Sequence, residues 1–169
     1  VFVWERAGVA GIYVADAAIS GALAAAPREL SAAGTQLNGA FWSTDGRALM
    51  VAKNGDLWRV PIDGGAAAAV WTTPAAETSI VPSPDGSRVA FVRVSVNEKK
   101  IGYDTAIWTV STADKEPPHR LTNGPHDSSP QWSPDGKFLV FMRATEKDGK
   151  PEPPQLAMLS MNGGDAWTF

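Results

Sequence analysis

Three stretches of the chain are near-copies of one another: "FWSTDGRALMVA" (41–52), "PSPDGSRVAFVR" (82–93) and "QWSPDGKFLVFMR" (131–143). Their Asp-Gly pairs stand at 45–46, 85–86 and 135–136, so the unit recurs after 40 and then 50 residues. A catalytic loop has no need of copies of itself. Self-similarity at a period of roughly 20 to 50 residues belongs to solenoids, propellers and arrays.

The local pattern chooses among these. In the third copy a short run ends at Trp132-Ser133, and Pro134-Asp135-Gly136 follows. Proline presets φ for the second position of a tight turn, aspartate bonds its own backbone, and glycine accepts positive φ. Then "KFLVFMR" mixes β-branched and aromatic residues over the length of a strand. The motif predicts strand, tight turn, strand. Downstream, "GIYVADAAISG" (11–21), "GDLWRVPIDGG" (55–65), "TAIWTVSTADK" (105–115) and "PQLAMLSMNGG" (154–164) align as third strands. They share a Leu/Ile column at Ile12, Leu57, Ile107 and Leu156. Beside it runs a column of Tyr13, Trp58, Trp108 and Ala157. A short fourth strand is expected at Leu30, Trp71, Leu121 and Trp167, each followed by a hydroxyl residue: Ser31, Thr72, Thr122 and Thr168.

Four antiparallel strands in 40 to 50 residues make one blade of a β-propeller. The expected fold is therefore all-β, a partial propeller of about four blades. The chain reads as a single propeller segment over 1–169, with blades at 1–35 (incomplete), 36–75, 76–124 and 125–169. A helical solenoid would need amphipathic runs with a 3.6-residue period, and none is present. "ISGALAAAPREL" (19–30) reads as a loop insertion with at most one helical turn. "VSVNEKKIGYD" (94–104) and "ATEKDGKPEPP" (144–154) both fall between second and third strands, where 36–75 has only "KNG". Insertions at one joint of successive blades emerge on one face, where a partner is expected.

Composition narrows the function. A formal net charge of −3 leaves no basic stripe for nucleic acid. The longest uncharged run, around "AAAAVWTTPAA", is broken by proline and poor in large apolar residues, so no membrane span is expected. Cysteine is absent, which excludes disulfides and thiolate metal sites. The seven tryptophans suit packing between flat layers. Trp42, Trp58, Trp108 and Trp132 are expected to pack neighbouring blades together.

No residue is assigned a catalytic, cofactor-binding or metal-binding role. His126-Asp127-Ser128 are neighbours in sequence, but a triad is spatial and successive strand residues point to opposite faces. They are expected to be loop residues. His119, after Pro117-Pro118, is expected on the surface. Asp45, Asp85 and Asp135 are equivalent turn positions, each expected to bond its turn's backbone in place of a cation. Asp63-Gly64-Gly65 lacks the glycine spacing and lysine of a phosphate loop.

With the blade in view, "WSPDGK-x-L-x-F" followed by "L-x-x-x-x-x-x-GG-x-x-x-x-L-T" resembles the TolB-like propeller repeats. These occur in periplasmic TolB proteins and in the N-terminal propeller of prolyl-oligopeptidase-family serine peptidases, of the acylaminoacyl-peptidase and dipeptidyl-peptidase types. The likeness covers nearly the whole chain. Departures are Thr44 for the motif proline, Ile80-Val81-Pro82 in place of an aromatic pair, and Ala157 in the aromatic column. "VFVWER" aligns with second strands, so the chain reads as about half of a larger ring.

In the peptidases the resemblance implies a non-catalytic propeller that caps an α/β-hydrolase active site and filters peptide substrates by size. The implied partners are the remainder of the propeller and a hydrolase domain, or a second copy or chain, with a peptide as substrate. No cofactor, nucleic acid or membrane is implied. The alternative is a TolB-like scaffold that binds proteins and hydrolyses nothing. A propeller enzyme with its own channel site would need carboxylates or histidines in "GAFWS", "SIVPS" and "SPQWS", which have none. The alanine-rich composition points to a bacterial source, with cytoplasm and periplasm both open.

Overall fold

The computed structural model describes residues 2–6, 9–15, 28–30, 37–53, 56–72, 76–97, 102–113, 116–147 and 150–169. They form seventeen β-strands and, among the described residues, no helix. The expected insertion at 19–30 lies outside the described residues up to 27. Its end forms a two-residue strand. The contacts divide the chain into two units, Val1–Trp71 and Thr72–Phe169.

The first unit holds two antiparallel sheets. One is β1 (Phe2–Arg6), β2 (Val9–Val14) and β3 (Arg28–Glu29). The other is a four-stranded meander of β4 (Leu37–Trp42), β5 (Ala48–Lys53), β6 (Asp56–Pro61) and β7 (Ala68–Trp71). Ile12 of the first sheet packs with Leu49, Val51 and Val60 of the second, and Leu30, Ala40, Trp58 and Ile62 close around them.

The second unit begins with β8 (Ala76–Pro82), β9 (Arg88–Val96), β10 (Tyr103–Ser111) and β11 (His119–Arg120). It continues with β12 (His126–Trp132), β13 (Phe138–Ala144), the small pair β14 (Glu146–Lys147) and β15 (Lys150–Pro151), then β16 (Gln155–Ser160) and β17 (Trp167–Thr168). Each group is an antiparallel meander, and a single parallel bridge, Thr105 to His126, joins them. Strand residues alternate between the two faces of a sheet. Thus Ala90, Val92 and Ile107 share one face and meet Leu139, Phe141, Ala157 and Leu159 of the following sheet. Ile12 stands to Leu49, Val51 and Val60 as Ile107 stands to Leu139, Phe141 and Leu159. One stacking rule is used in both units.

The repeated turn is the hairpin the sequence predicts, with an added part. Gly46, Gly86 and Gly136 sit at φ of 65°, 68° and 70°. Their N–H groups donate to the carbonyls of Ser43, Ser83 and Ser133 at 2.9, 2.8 and 2.9 Å. Each serine hydroxyl accepts the N–H five residues on, from Ala48, Arg88 and Phe138, at 3.0, 3.0 and 2.9 Å. The side chain therefore satisfies a donor at the first residue of the returning strand.

The fourth-strand register departs from the sequence expectation in the last unit. Leu30 and Leu121 donate to the carbonyls of Ile12 and Ile107, and Trp71 pairs with Leu57. The residue that donates to Leu156 is Phe169, at 3.0 Å, while Trp167 pairs with Met158. Phe169 thus takes the column expected for Trp167: the column residue stands 14 residues after Leu57 and Ile107 and 13 after Leu156, whereas Trp167 stands only 11 after it. Thr168 falls before that column position. Thr122 keeps the expected place and accepts the Ile107 N–H at 3.0 Å.

Candidate functional site

One polar feature among the described residues is a buried ion pair. Asp127, second residue of β12, is fully buried. Its carboxylate accepts from Arg143 Nε at 2.8 Å and Nη2 at 2.9 Å, the bidentate geometry a guanidinium favours. Hydrogen bonding to Asp127 raises the Arg143 pKa further above its ordinary value, against the opposing effect of burial. The guanidinium also lies 5.2 Å from the Phe141 ring centre. Gly124 closes over the pair: a Cβ there would stand 2.6 and 2.7 Å from the Asp127 oxygens.

The preceding sheet repeats the device in a looser form. Glu77, 2% exposed, pairs with Arg93 across the strands, with Oε1 3.9 Å from Nε. Arg93 lies 4.7 Å from the Trp108 ring centre. Where the next sheet has Ala157 in place of that tryptophan, the cation lies instead over Phe141, two residues earlier on its own strand. Leu37 and Lys53 hold the aligned positions on β4 and β5. The sequence signal was an acid six residues before the turn serine, in two units out of three, and the sequence reading passed over it.

Beside this pair lies a polar groove of about 900 Å³. Tyr103, Asp104, Arg120, His126, Thr145 and Glu146 are among the residues that line it. It occupies the insertion-bearing end of the unit. The Thr105 N–H donates to the Pro125 carbonyl at 2.7 Å, which ties the connecting loop to β10. His126 Nε2 is 3.6 Å from Glu146 Oε1. The Thr145 hydroxyl donates to Glu152 at 2.5 Å, and the Glu152 N–H returns to the Thr145 carbonyl at 2.8 Å. Tyr103 is 68% exposed, so its ring is available to a ligand. The groove offers an aromatic face, two carboxylates, a guanidinium and an imidazole, a set suited to a peptide main chain and its charged end.

At the opposite, turn-bearing end, a cleft of about 600 Å³ lies between the turns at 83–88 and 133–136, with His119, Leu121 and Trp132. Asp85 and Asp135 face solvent there, and Asp45 of the first unit is exposed at its own turn. Each accepts its turn's own N–H, from Arg47, Ser87 and Lys137, and a serine hydroxyl at 2.6 Å. The serine bond is the largest cause holding all three carboxyls below their ordinary pKa, to about 2 for Asp85. Asp45 also meets Arg59 at 2.9 Å.

The other singled-out residues are placed as follows. Asp127 faces inward to Arg143, while His126 meets Glu146 and Ser128 is exposed, so the three are not brought together. All three lie on β12, not on a loop. His119 is exposed on β11. Asp63 accepts the Gly65 N–H at 3.0 Å. Among the described residues no three His, Cys, Asp or Glu gather around one point. Trp132 packs on the core between its sheet and the preceding one, and its indole donates to the Val81 carbonyl at 3.1 Å. Trp58 and Trp108 are half-buried, and Trp42 is 42% exposed. The packing role is therefore clearest for Trp132.

No protein-family model matches the chain. Over 84 residues, half of the chain, it is 34% identical to the uncharacterized peptidase YuxL of Bacillus subtilis, of which it spans 12%. A crystal structure of puromycin hydrolase superposes on 95% of the chain, with a TM-score of 0.72 and 18% identity, and the chain spans 24% of it. A putative TolB from Agrobacterium tumefaciens superposes on 96%, with a TM-score of 0.61 and 22% identity, and the chain spans 57% of it. The fold is all-β and propeller-like, similar to the propellers of TolB proteins and of peptidases in the prolyl-oligopeptidase family.

Proposed function

We propose that residues 1–169 are a single non-catalytic propeller segment of a prolyl-oligopeptidase-family serine peptidase. In that role it caps the active site of an α/β-hydrolase domain and admits only short peptides. The observation that carries this reading is the 34% identity to a peptidase, together with a fold match to puromycin hydrolase over nearly all of the chain. The polar groove bounded by Tyr103, Asp104 and Glu146 supports it, since the two insertions that shape it emerge at one end, where a catalytic domain would dock. The size filter is physical: a gap between sheets passes an extended chain and rejects a folded one.

The test is made on the parent polypeptide. A serine-reactive phosphonate should label it once, outside residues 1–169, and it should cleave peptides of a few residues while sparing a folded protein. Absence of labelling would abandon the peptidase reading. It would favour a TolB-like scaffold that binds proteins without hydrolysing them, a reading supported by the 22% identity to a putative TolB over 96% of the chain.

A further inference from the structure

We propose that Asn123 is a site of spontaneous covalent modification, whose isoaspartyl product loosens the start of β12. The chemistry is closure of an asparagine side chain onto the amide nitrogen that follows it. The chain holds Asn-Gly pairs at 38–39, 54–55, 123–124 and 162–163, and local structure sets them apart. Asn54-Gly55 lies outside the described residues. Gly39 is held in the paired strand β4, opposite Ala52. At 162–163 the turn is fastened: the Asn162 N–H donates to Ser160 Oγ and the Gly163 N–H to the Ser160 carbonyl, both at 3.2 Å.

Asn123 and Gly124 form a span of another kind. Before them, the Leu121 N–H donates to the Ile107 carbonyl at 2.8 Å, and Thr122 accepts the Ile107 N–H at 3.0 Å. After them, the Pro125 carbonyl accepts the Thr105 N–H at 2.7 Å. The span is thus anchored to β10 at both ends. Between the anchors, among the described residues, neither the Asn123 side chain nor the Gly124 N–H has a hydrogen-bond partner. Asn123 is exposed.

The fold imposes the glycine. A Cβ at 124 would stand 2.6 and 2.7 Å from the Asp127 carboxylate oxygens, so no other residue fits over the buried pair. Lacking a Cβ, glycine also shields its own nitrogen least. The packing that buries Asp127 against Arg143 therefore sets a bare nitrogen beside an unheld side-chain amide.

The step balances with water as its only co-reactant. The Gly124 nitrogen attacks Asn123 Cγ. An N–Cγ bond forms and closes a cyclic imide, the Cγ–Nδ2 bond breaks, and ammonia leaves with the proton from the Gly124 nitrogen. Water then opens the imide. Opening at Cγ leaves aspartate in an ordinary main chain. Opening at the main-chain carbonyl routes the chain through Cγ and Cβ and lengthens it by a methylene. The lengthened span has fixed ends, and its inner side is filled by the Asp127 carboxylate and by Arg143 Nε, 2.9 Å from the same Cβ position. The Thr105–Pro125 bond is the anchor that gives way.

Ageing the folded 169-residue chain at mildly alkaline pH in heavy-oxygen water, with peptide mapping by mass spectrometry, tests this. Asn123 should convert about fivefold faster than Asn162, the factor that one hydrogen bond held at the attacking nitrogen confers. In denaturing urea the two rates should converge, because the fold is what separates them. As isoaspartate accumulates at 123, hydrogen exchange at the Thr105 amide should quicken in step. Asn123→Asp adds the charge and keeps the main chain, so Thr105 should exchange at its wild-type rate. Asn123→Gln should abolish the drift on ageing. Asn162 converting as fast as Asn123 in the folded chain overturns the proposal. So does a rate ratio that urea leaves unchanged, or Thr105 exchange that stays constant while isoaspartate forms. Exchange raised equally in Asn123→Asp would assign the loosening to charge and overturn the main-chain account. None of these measurements reads enzymatic activity, so their outcome is independent of the peptidase reading.

Discussion

Trp132 donates its indole N–H to the carbonyl of Val81, 3.1 Å away and 51 residues earlier. That bond links the first strands of two consecutive sheets at the edge of their shared apolar core. Trp132→Phe keeps the ring contact and removes the donor. Leaving a half-buried carbonyl without its partner should cost about 1 kcal/mol, read as a lower urea midpoint with an unchanged m-value.

Gly124 is a second sensitive point. A Cβ would meet both Asp127 oxygens below 2.8 Å and Arg143 Nε at 2.9 Å. None of these atoms can retreat without breaking the buried pair. Gly124→Ala should destabilise the second unit by about 2 kcal/mol, while Gly163→Ala, which meets no atom but is strained at φ 103°, should cost about 1 kcal/mol. Equal midpoints for Gly124→Ala and wild type in urea unfolding would refute this.

Removing one partner of the buried pair should be worse than removing both. Asp127→Ala leaves the Arg143 guanidinium, 19% exposed, without its anion, and should cost about 3 kcal/mol. Adding Arg143→Met to that variant should restore part of the loss. A double-mutant cycle in urea provides the number, and a coupling near zero would show that the pair is ornamental.

Acid should act through the turns. The folded pKa of Asp85 is depressed, from 3.8 to about 2, chiefly by the Ser83 hydroxyl. A depressed carboxyl stabilises the fold above its unfolded pKa and loses that contribution as pH falls through the folded value. The stability difference between wild type and Asp85→Asn should therefore be constant above pH 5 and shrink between about pH 4 and pH 2. A difference that grows on acidification would reverse the sign and refute the assignment.

Ser79 and Ser129 occupy the same bulge of β8 and β12, at φ of 52° and 53°. In β4 the irregularity falls one residue earlier, between Leu37 and Gly39, and Gly39 pairs with Ala52. An L-residue at such a positive φ is strained by about 1 kcal/mol, so Ser129→Gly should raise the thermal midpoint by a few degrees, as calorimetry can show.

Much of the fold was legible because it rests on local chemistry repeated in register. Ser-Pro-Asp-Gly specifies a turn whatever surrounds it, and the strands on either side alternate as hairpins must. The departures have different origins. Trp167 missed its column because its likeness to Trp71 conflicts with the spacing, 11 residues from Leu156 where Trp71 and Leu121 stand 14 from Leu57 and Ile107. The Asp127–Arg143 pair went unread because its partners are 16 residues apart, and only strand pairing shows them to be opposite each other. The groove is built from two connections and one loop, the loop tied to β10 by the Thr105–Pro125 backbone bond.

Period, turn type and strand alternation were thus settled by residues within a few positions of one another, because steric limits and nearest-neighbour hydrogen bonds act at that range. Which face of each sheet is covered, where a buried charge finds its counterion, and that Leu156 stands open where Ile107 is buried were settled only when distant segments packed, because burial is a property of what lies opposite.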